Sequence, residues 1–74
     1  MQKFNIIMED GEVYTKAFVI TGRGFARDRY DVKCAVKYEK FITICNKYNH
    51  NKVLKTKDVY EIEEVINNVI EGDD

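Results

Sequence analysis

The sequence predicts a small α+β domain, in which a five-stranded antiparallel sheet or an SH3-like or Sm-like barrel is followed by one C-terminal helix. Three observations lead to this fold class. Several stretches alternate apolar and polar residues with the period of two that is typical of half-buried strands. An Asp-Gly pair separates two of these stretches, as in a β-hairpin. A C-terminal stretch carries apolar residues at helical spacing.

The length of 74 residues indicates one domain, spanning residues 1–74. The 45% of hydrophobic residues is sufficient for a folded core. Because no apolar run approaches the roughly 20 residues of a membrane span and Met1 leads directly into a strand pattern, we expect neither a membrane anchor nor a signal peptide. We therefore expect a cytoplasmic protein, in which both cysteines stay reduced.

Five segments are predicted as strands, at about residues 2–9, 12–21, 29–38, 41–47 and 52–56. Asp10-Gly11 predicts a type I′ turn, because both central residues of that turn need a positive φ. This turn would set Met8 opposite Val13, Ile6 opposite Thr15 and Phe4 opposite Ala17. Both faces of the hairpin carry apolar residues, so barrel closure, the helix or a second subunit has to cover each face.

The stretch Met8-Glu9-Asp10-Gly11-Glu12-Val13-Tyr14 resembles the first Sm motif, which also places Asp-Gly in a strand turn. Lys16 and Ala17 stand where that motif has glycine, and the second Sm motif is absent. The resemblance therefore bears only on the fold, and we transfer no Sm function to this chain.

Residues 30–45 allow two interpretations. Alternation from Tyr30 to Tyr38 predicts a strand that turns at Glu39-Lys40 into the β-branched and aromatic strand from Phe41. The alternative is a helix over residues 28–48, because Tyr30, Cys34, Tyr38, Phe41, Cys45 and Tyr48 are spaced by three or four. That helix would leave two valines facing water, so we favour the strands. The following strand is apolar on both faces, which indicates an interior position in the sheet.

The helix is predicted from about residue 58 to residue 70. Asp58 with Glu61 three residues later forms a capping box, and Gly72 stands where a C-cap glycine belongs. One face carries the apolar stripe Val59, Ile62, Val65, Ile66, Val69 and Ile70. The opposite face carries Tyr60, Glu64, Asn67 and Glu71.

The charges are segregated along the chain. Residues 23–57 carry ten bases and three acids, a net charge of +7, whereas residues 58–74 carry seven acids and no base. The whole chain has a net charge of only −1. Such asymmetry suggests charged partners, although the acidic segment also neutralises the basic one inside a single small domain.

No motif indicates catalysis, and we expect neither enzyme activity nor a cofactor. Two cysteines and one histidine are too few for a typical structural zinc site. We expect Cys34 and Cys45 to be core residues and His50 to lie in a surface loop. Gly22-Arg23-Gly24 lacks the third glycine of a dinucleotide fingerprint.

Three binding functions remain. The first is docking on a host protein, as an inhibitor or accessory factor of the phage or mobile-element type, through Tyr60, Glu64, Asn67 and Glu71. The second is a nucleic-acid-binding module in segment 23–57, in which Arg23, Arg27, Arg29, Lys33 and Lys37 would meet phosphates and neighbouring rings would stack on bases. The third is binding of a small anion such as a nucleotide, in a pocket shared by two subunits; a homodimer is compatible with all three.

Overall fold

The structure, a computed structural model, describes residues 1–66 of the chain. Six strands and one α-helix follow one another, which confirms the α+β class with an antiparallel sheet. In chain order the elements are β1 (Phe4–Met8), β2 (Val13–Thr21), β3 (Gly24–Phe25), α1 (Arg29–Tyr38), β4 (Phe41–Cys45), β5 (Lys52–Lys55), a 3-10 turn (Thr56–Asp58) and β6 (Val59–Glu64). The helix therefore lies in the middle of the described chain and not after the strands.

The strands form a sheet in the order β5-β4-β2-β1-β6, and β3 pairs with β2 beside this path. The long strand β2 belongs to both ends of the sheet, because its first part pairs with β1 and its last part with β4 and β3. We call β6, β1 and the first part of β2 the first half-sheet, and the rest the second half-sheet. The described strands form an open path, so the predicted barrel is not confirmed.

The β1–β2 hairpin turns through a three-residue loop and not through the predicted type I′ turn. Gly11 has a φ of +94°, whereas Asp10 keeps a negative φ. The amide of Met8 donates to Glu12 O over 2.8 Å, which brackets a loop with glycine in the left-handed position. Val13 consequently faces Ile7, and the pairs expected for Met8 and Ile6 are wrong.

A bulge at Lys16 restores the expected pairing of Phe4 with Ala17. Lys16 has a φ of +48°, and its amide donates to the Asn5 Oδ1 atom over 3.0 Å. The extra residue lets Tyr14, Ala17 and Val19 all face the core, although a regular strand would place Tyr14 on the opposite side. The bulge also marks the place where β2 passes from one half-sheet to the other.

Residues 29–38 form a helix, so the predicted strand and its turn at Glu39-Lys40 are wrong. The Oδ1 atom of Asp28 accepts from the amide of Asp31 over 2.9 Å and caps the first turn. The helix buries Val32 and Ala35, which are three residues apart. The helical alternative is thus correct for residues 29–38 and wrong for Phe41–Cys45, where the predicted strand is confirmed.

Residues 59–64 form strand β6, so the predicted helix over residues 58–70 is wrong in its described part. Ile62 pairs with Ile6 of β1, and both side chains are buried. Val59 and Ile62 both pack on the core although they are three residues apart in a strand. The reason is a shift in the register of β6 against β1 between Ile7 and Met8, not a helical turn. Ile66 of the predicted stripe is 83% exposed. The predicted helix end with Val69, Ile70 and Gly72 lies outside the described residues.

The core lies between the sheet and α1. Its members are Phe4, Ile6, Met8, Tyr14, Ala17, Val19, Ala26, Val32, Ala35, Ile42, Ile44, Leu54 and Ile62. The 3-10 turn ties the helix end to the strands, because the buried Thr56 hydroxyl donates to Glu39 O over 2.6 Å. Within residues 1–66, no helix has the length and apolar character that a membrane crossing requires.

Candidate functional site

Helix α1 divides the predicted basic set between two of its sides. Residues four apart lie together on a helix surface, which produces two adjacent rows on the side away from the core. The basic row consists of Arg29, Lys33 and Lys37, and the tyrosine row of Tyr30, Cys34 and Tyr38. Arg23 and Arg27 lie on the tyrosine side, so the five predicted anion-binding residues do not form one surface.

A groove of about 390 Å³ separates the β2–β3 hairpin from the tyrosine row. This hairpin groove is lined by Thr21, Arg23, Phe25, Arg27, Tyr30, Asp31, Cys34, Ala35, Tyr38 and Glu39. Arg27 Nε lies 3.6 Å from Asp31 Oδ2, but the Arg27 side chain is 87% exposed. Exposed pairs of this kind are weak, so Arg27 is available to an anionic ligand.

The hairpin loop that carries Arg23 is held by hydrogen bonds. The amide of Gly22 donates to Glu39 Oε1 over 2.9 Å. The Thr21 hydroxyl accepts from the Arg23 amide and donates to Gly24 O, both over 3.0 Å. Because these bonds fix the loop in advance, binding would order little more than the Arg23 side chain.

The second half-sheet has an uncovered apolar outer face. Register partners share a face of an antiparallel sheet, and the pairs of β2, β3, β4 and β5 alternate between core and exterior. The exterior residues, which we call the outer aromatic face, are Phe18, Ile20, Phe25, Phe41, Thr43, Cys45 and Val53. Phe25 is 49% exposed, Phe41 53% and Val53 58%. This is an unusual concentration of exposed apolar surface for a domain of this size.

Basic side chains adjoin these rings. Lys3 Nζ lies 5.3 Å from the centroid of the Phe18 ring, a cation–π distance. The Phe18 and Phe25 rings meet edge to face at 6.5 Å. Phe25 also lines the hairpin groove, and Lys55 is the register partner of Phe41. Cations therefore lie beside the rings at both sides of the face, with Lys3 at Phe18 and Lys55 opposite Phe41.

A lysine groove adjoins the outer aromatic face at Lys3. It is lined by Lys3, Thr15, Lys16, Asn46, Lys47 and Tyr48. Asn46 Nδ2 donates to Thr15 O over 2.9 Å and connects β2 to the loop after β4. Lys47 Nζ lies 5.4 Å from the ring centroid of Tyr48, which is 73% exposed. We call the lysine groove, the outer aromatic face and the hairpin groove together the aromatic–basic strip.

The predicted partner-binding residues do not share a helix face in the described chain. Tyr60 lies on β6, 67% exposed, at a groove between α1 and β6. This helix–strand groove is lined by Arg29, Lys33, Val36, Lys37, Val59, Tyr60, Glu61 and Ile62. Glu64 Oε2 accepts from the backbone amide of Arg29 over 2.6 Å, so it has an internal partner. Asn67 and Glu71 lie outside the described residues.

The acidic residues of the described chain concentrate in the first half-sheet and at its hairpin turn. Glu61 and Glu63 pair with Ile7 and Asn5, which places them on the outer face. Further acids at the β1–β2 turn are Glu9, Asp10 and Glu12. The outer face of the first half-sheet is thus acidic, whereas Asp31 and Glu39 lie together with Arg23 and Arg27 in the hairpin groove.

Two tyrosines have altered titration. Burial, followed by the nearby Glu12 carboxylate, raises the pKa of Tyr14 above its ordinary 10.0. A side-chain hydrogen bond with Cys34 raises the pKa of Tyr30 in the hairpin groove. Both phenols are consequently neutral at physiological pH, so Tyr30 presents an uncharged ring and hydroxyl to the groove.

Within the described residues, no group of three or more His, Cys, Asp or Glu side chains is placed to hold a metal ion. Cys34 and Cys45 are free thiols and half-buried, and His50 is exposed in a loop. Comparison of the chain with models of known families, with curated proteins and with solved structures finds no match.

Sequence reasoning missed the contributions of Lys3, Phe18 and Lys47 to the strip. The sequence indicated this surface in one way: β2 carries apolar residues on both faces, so its outer face also needed to be covered. These residues come together because β2 pairs with β4. The pairing places Phe18 opposite Cys45, which is followed two residues later by Lys47. No local pattern reports that pairing.

Proposed function

We propose that this chain is a non-catalytic module that binds single-stranded nucleic acid along the aromatic–basic strip. The observation that carries the proposal is that cations lie beside aromatic rings on the second half-sheet and in the loop that follows β4. Lys47 lies by Tyr48, Lys3 by Phe18, and Arg23 by Phe25 in the hairpin groove. Nucleotides repeat the same two elements, a base that stacks on rings and a phosphate that attracts cations.

A single strand suits this surface better than a duplex. Stacking on a protein ring requires a base with an accessible π-face, and the bases of a duplex are stacked on each other. Because stacking does not distinguish strongly among bases, the proposal implies weak sequence preference and strong salt dependence.

A second copy of this chain is a less suitable occupant of the outer aromatic face. A two-fold interface brings the same patch of each subunit together. Lys3 and Lys55 would then approach their own copies, and the register pairs of the outer aromatic face contain no acid to offset them. A polyanion, in contrast, supplies the complementary charge at Lys3, Lys47 and Lys55.

Docking on a host protein through Tyr60 is the second hypothesis. It is favoured by the exposed Tyr60 ring at the rim of the helix–strand groove, whose floor includes the partly buried Val36 and Val59. In the nucleic-acid proposal this groove lies outside the binding surface. The two hypotheses thus use different residues, and one set of variants separates them.

The proposal includes a strongly curled sheet of the SH3-like type. The strands at the two ends of the sheet order, β5 and β6, are joined by only the three residues of the 3-10 turn. A connection this short brings the two ends of the sheet close together, which supports a curled sheet. The outer aromatic face then lies on its convex side.

Binding is tested by fluorescence anisotropy with labelled oligo-dT and oligo-rU of about a dozen nucleotides, within the usual site sizes. If Lys3, Arg23, Arg27 and Lys47 contact phosphates, the plot of log K against log salt should have a slope of about −3, at about −0.7 per contact. No binding at low salt, or tighter binding to a duplex of the same length, would reject the proposal.

Ring variants locate the site. Replacing Phe25 and Phe41 with alanine should weaken binding by at least about tenfold, because base stacking contributes about 1–3 kcal/mol per ring. Both rings are about half exposed, so the loss of stability should be small. Tyr60→Ala is the matched control, since it removes an exposed ring from the helix–strand groove. Equal losses in both proteins would mean that the strip is not the site.

A further inference from the structure

The hairpin groove contains carboxylates that phosphate binding does not require. Asp31 and Glu39 line it together with Arg23 and Arg27, so acids and cations are equal in number there. A carboxylate repels a phosphate, but it is a good acceptor for the N–H groups of a base. The hairpin groove therefore differs in chemistry from the lysine groove, whose described lining contains lysines and no acid.

The Glu39 carboxylate is held in position by the hairpin loop. Its Oε1 atom accepts from the amide of Gly22 over 2.9 Å. The missing side chain of Gly22 makes room for it, because a Cβ added there would lie only 3.1 Å from Glu39 Oε2. A carboxylate has about four acceptor sites on its two oxygens. One bond to Gly22 therefore fixes the group and leaves capacity to accept from a ligand.

Three aromatic rings line the same groove, those of Phe25, Tyr30 and Tyr38. Both tyrosines are mostly exposed, and Phe25 is about half exposed. Exposed rings of this kind bind a base by stacking on its face. The groove volume of about 390 Å³ lies within the usual range of ligand pockets. The groove can therefore hold one nucleotide, with its base on a ring and the edge of the base at a carboxylate.

Guanine is the base whose edge best matches a carboxylate. Its Watson–Crick edge carries two adjacent donors, N1–H and the 2-amino group. Adenine and cytosine each have one amino group beside a ring nitrogen acceptor, and thymine and uracil have one N–H between two carbonyl oxygens. A carboxylate attracts donors and repels acceptors, so guanine alone can donate two hydrogen bonds to it without repulsion.

Two other grooves also contain acids and cations but lack a part of this arrangement. In the helix–strand groove, Glu61 is an exposed side chain and Tyr60 is the one ring among the described lining residues. In a groove at the β1–β2 turn, the Glu12 carboxylate accepts from the hydroxyl of Tyr14, whose ring is buried. Of these three grooves, the hairpin groove alone combines several exposed rings with a carboxylate that a backbone amide holds.

We propose that the hairpin groove selects guanine within the single strand that the aromatic–basic strip binds. This inference rests on the proposed function and adds a base preference at one position. The guanine stacks on the rings of the groove and donates N1–H and its 2-amino group to the Glu39 carboxylate. Arg23 and Arg27 hold the neighbouring phosphates. The remaining rings of the strip stack on any base.

The test compares oligo-dT with the same strand carrying one central guanine. The guanine strand should bind about tenfold more tightly, at the lower end of what a bidentate pair of hydrogen bonds to a base provides. Hypoxanthine in that position lacks the 2-amino donor and should lose most of the gain, whereas 7-deazaguanine keeps the Watson–Crick edge and should retain it. The opposite result would assign selection to an arginine at N7 and O6 and overturn the role of Glu39.

A protein variant tests the same contact. Glu39→Gln keeps an oxygen for the Gly22 amide but turns the other acceptor into a donor, so the guanine strand should lose its advantage over oligo-dT. Glu61→Gln is the matched control, which removes the same charge from the helix–strand groove and should keep the preference. A preference that survives Glu39→Gln would overturn the inference.

The result for wild type also separates this inference from the proposed function. Equal binding of the guanine strand and oligo-dT would overturn the guanine preference and leave single-strand binding intact. If no strand binds, the proposed function is rejected, and deoxyguanosine and deoxyadenosine monophosphates are titrated separately in ¹H–¹⁵N spectra. Shifts of the Gly22 and Phe25 amides with the guanine nucleotide alone would support selection by the groove, and equal shifts or none would overturn it.

Discussion

The two half-sheets share one core and one strand but present opposite outer faces. The first, made of β6, β1 and the start of β2, carries Glu61 and Glu63 outside. The second, made of the end of β2 with β3, β4 and β5, carries phenylalanines outside. Core packing requires only that the inner faces be apolar, so the packing of the core does not account for the difference between the outer faces.

The bulge at Lys16 makes this division possible. A regular β2 would continue one alternation of faces from Val13 to Thr21. The extra residue instead allows Tyr14 to face the core in one half and Phe18 to face outward in the other. One irregular residue therefore decides which aromatic side chain lies in the core and which lies on the outer face.

The largest effect is expected where the first half-sheet meets the core. Ile62→Ala should lower the free energy of unfolding by about 2–5 kcal/mol, because it leaves a cavity opposite Ile6. Ile66→Ala should change it by less than about 0.5 kcal/mol, because that side chain is 83% exposed. Urea titration measures both values. Similar losses of stability at the two positions would favour a helix over residues 58–70 and would contradict the pairing of β6 with β1.

The next effect separates the two basic groups. Replacing Arg23 and Arg27 with glutamine should weaken oligonucleotide binding several-fold at moderate salt and reduce the magnitude of the salt slope by about 1.4, at about 0.7 per lost contact. Lys33→Gln with Lys37→Gln removes the same charge from the helix–strand groove and should leave the slope unchanged. A larger effect from the lysine pair would move the binding surface to the other side of α1.

A smaller effect compares two candidate helix caps. Asp28→Ala should cost about 1 kcal/mol, because it removes the acceptor of the Asp31 amide at the start of α1. Asp58→Ala should cost much less, since its backbone carbonyl, and not its carboxylate, accepts from Glu9. Urea midpoints of the two variants provide the comparison. A greater loss at Asp58 would support a helix beginning there.

The smallest effect concerns pH. Tyr14 has a raised pKa in the folded state, so the unfolded chain loses that proton first as pH rises. Its contribution to stability is therefore complete below pH 10.0 and is lost as pH rises through the folded pKa. Tyr14→Phe should flatten the fall in urea midpoint above that pH. An unchanged fall would assign the pH dependence to other groups, such as the lysines.

Local signals were sufficient for four of the six described strands and insufficient for β3, α1 and β6. The residues that alternate from Tyr30 to Tyr38 are equally compatible with a helix, on which residues four apart form rows. Only the helix cap Asp28 distinguishes the helix from a strand. Val59 and Ile62 have helical spacing because of a strand irregularity. The pairing of β6 with β1, across more than fifty residues, leaves no local trace. The candidate site has the same limit. The sequence shows that segment 23–57 is basic and aromatic, but it does not show that α1 places the basic residues of this segment on two different sides.

The pairing of β1 with β6 also has a consequence for the order of folding. Strand β1 meets β2 across a three-residue loop, but it meets β6 only after a loop of about fifty residues has closed. Closing a long loop costs entropy before any contact compensates for it. We therefore expect the β1–β2 hairpin to form early and β6 to join late, so that Ile62 substitutions act mainly on the rate of unfolding and barely on the rate of folding. A chevron analysis of Ile62→Val measures both rates, and a φ-value near one would reverse this order.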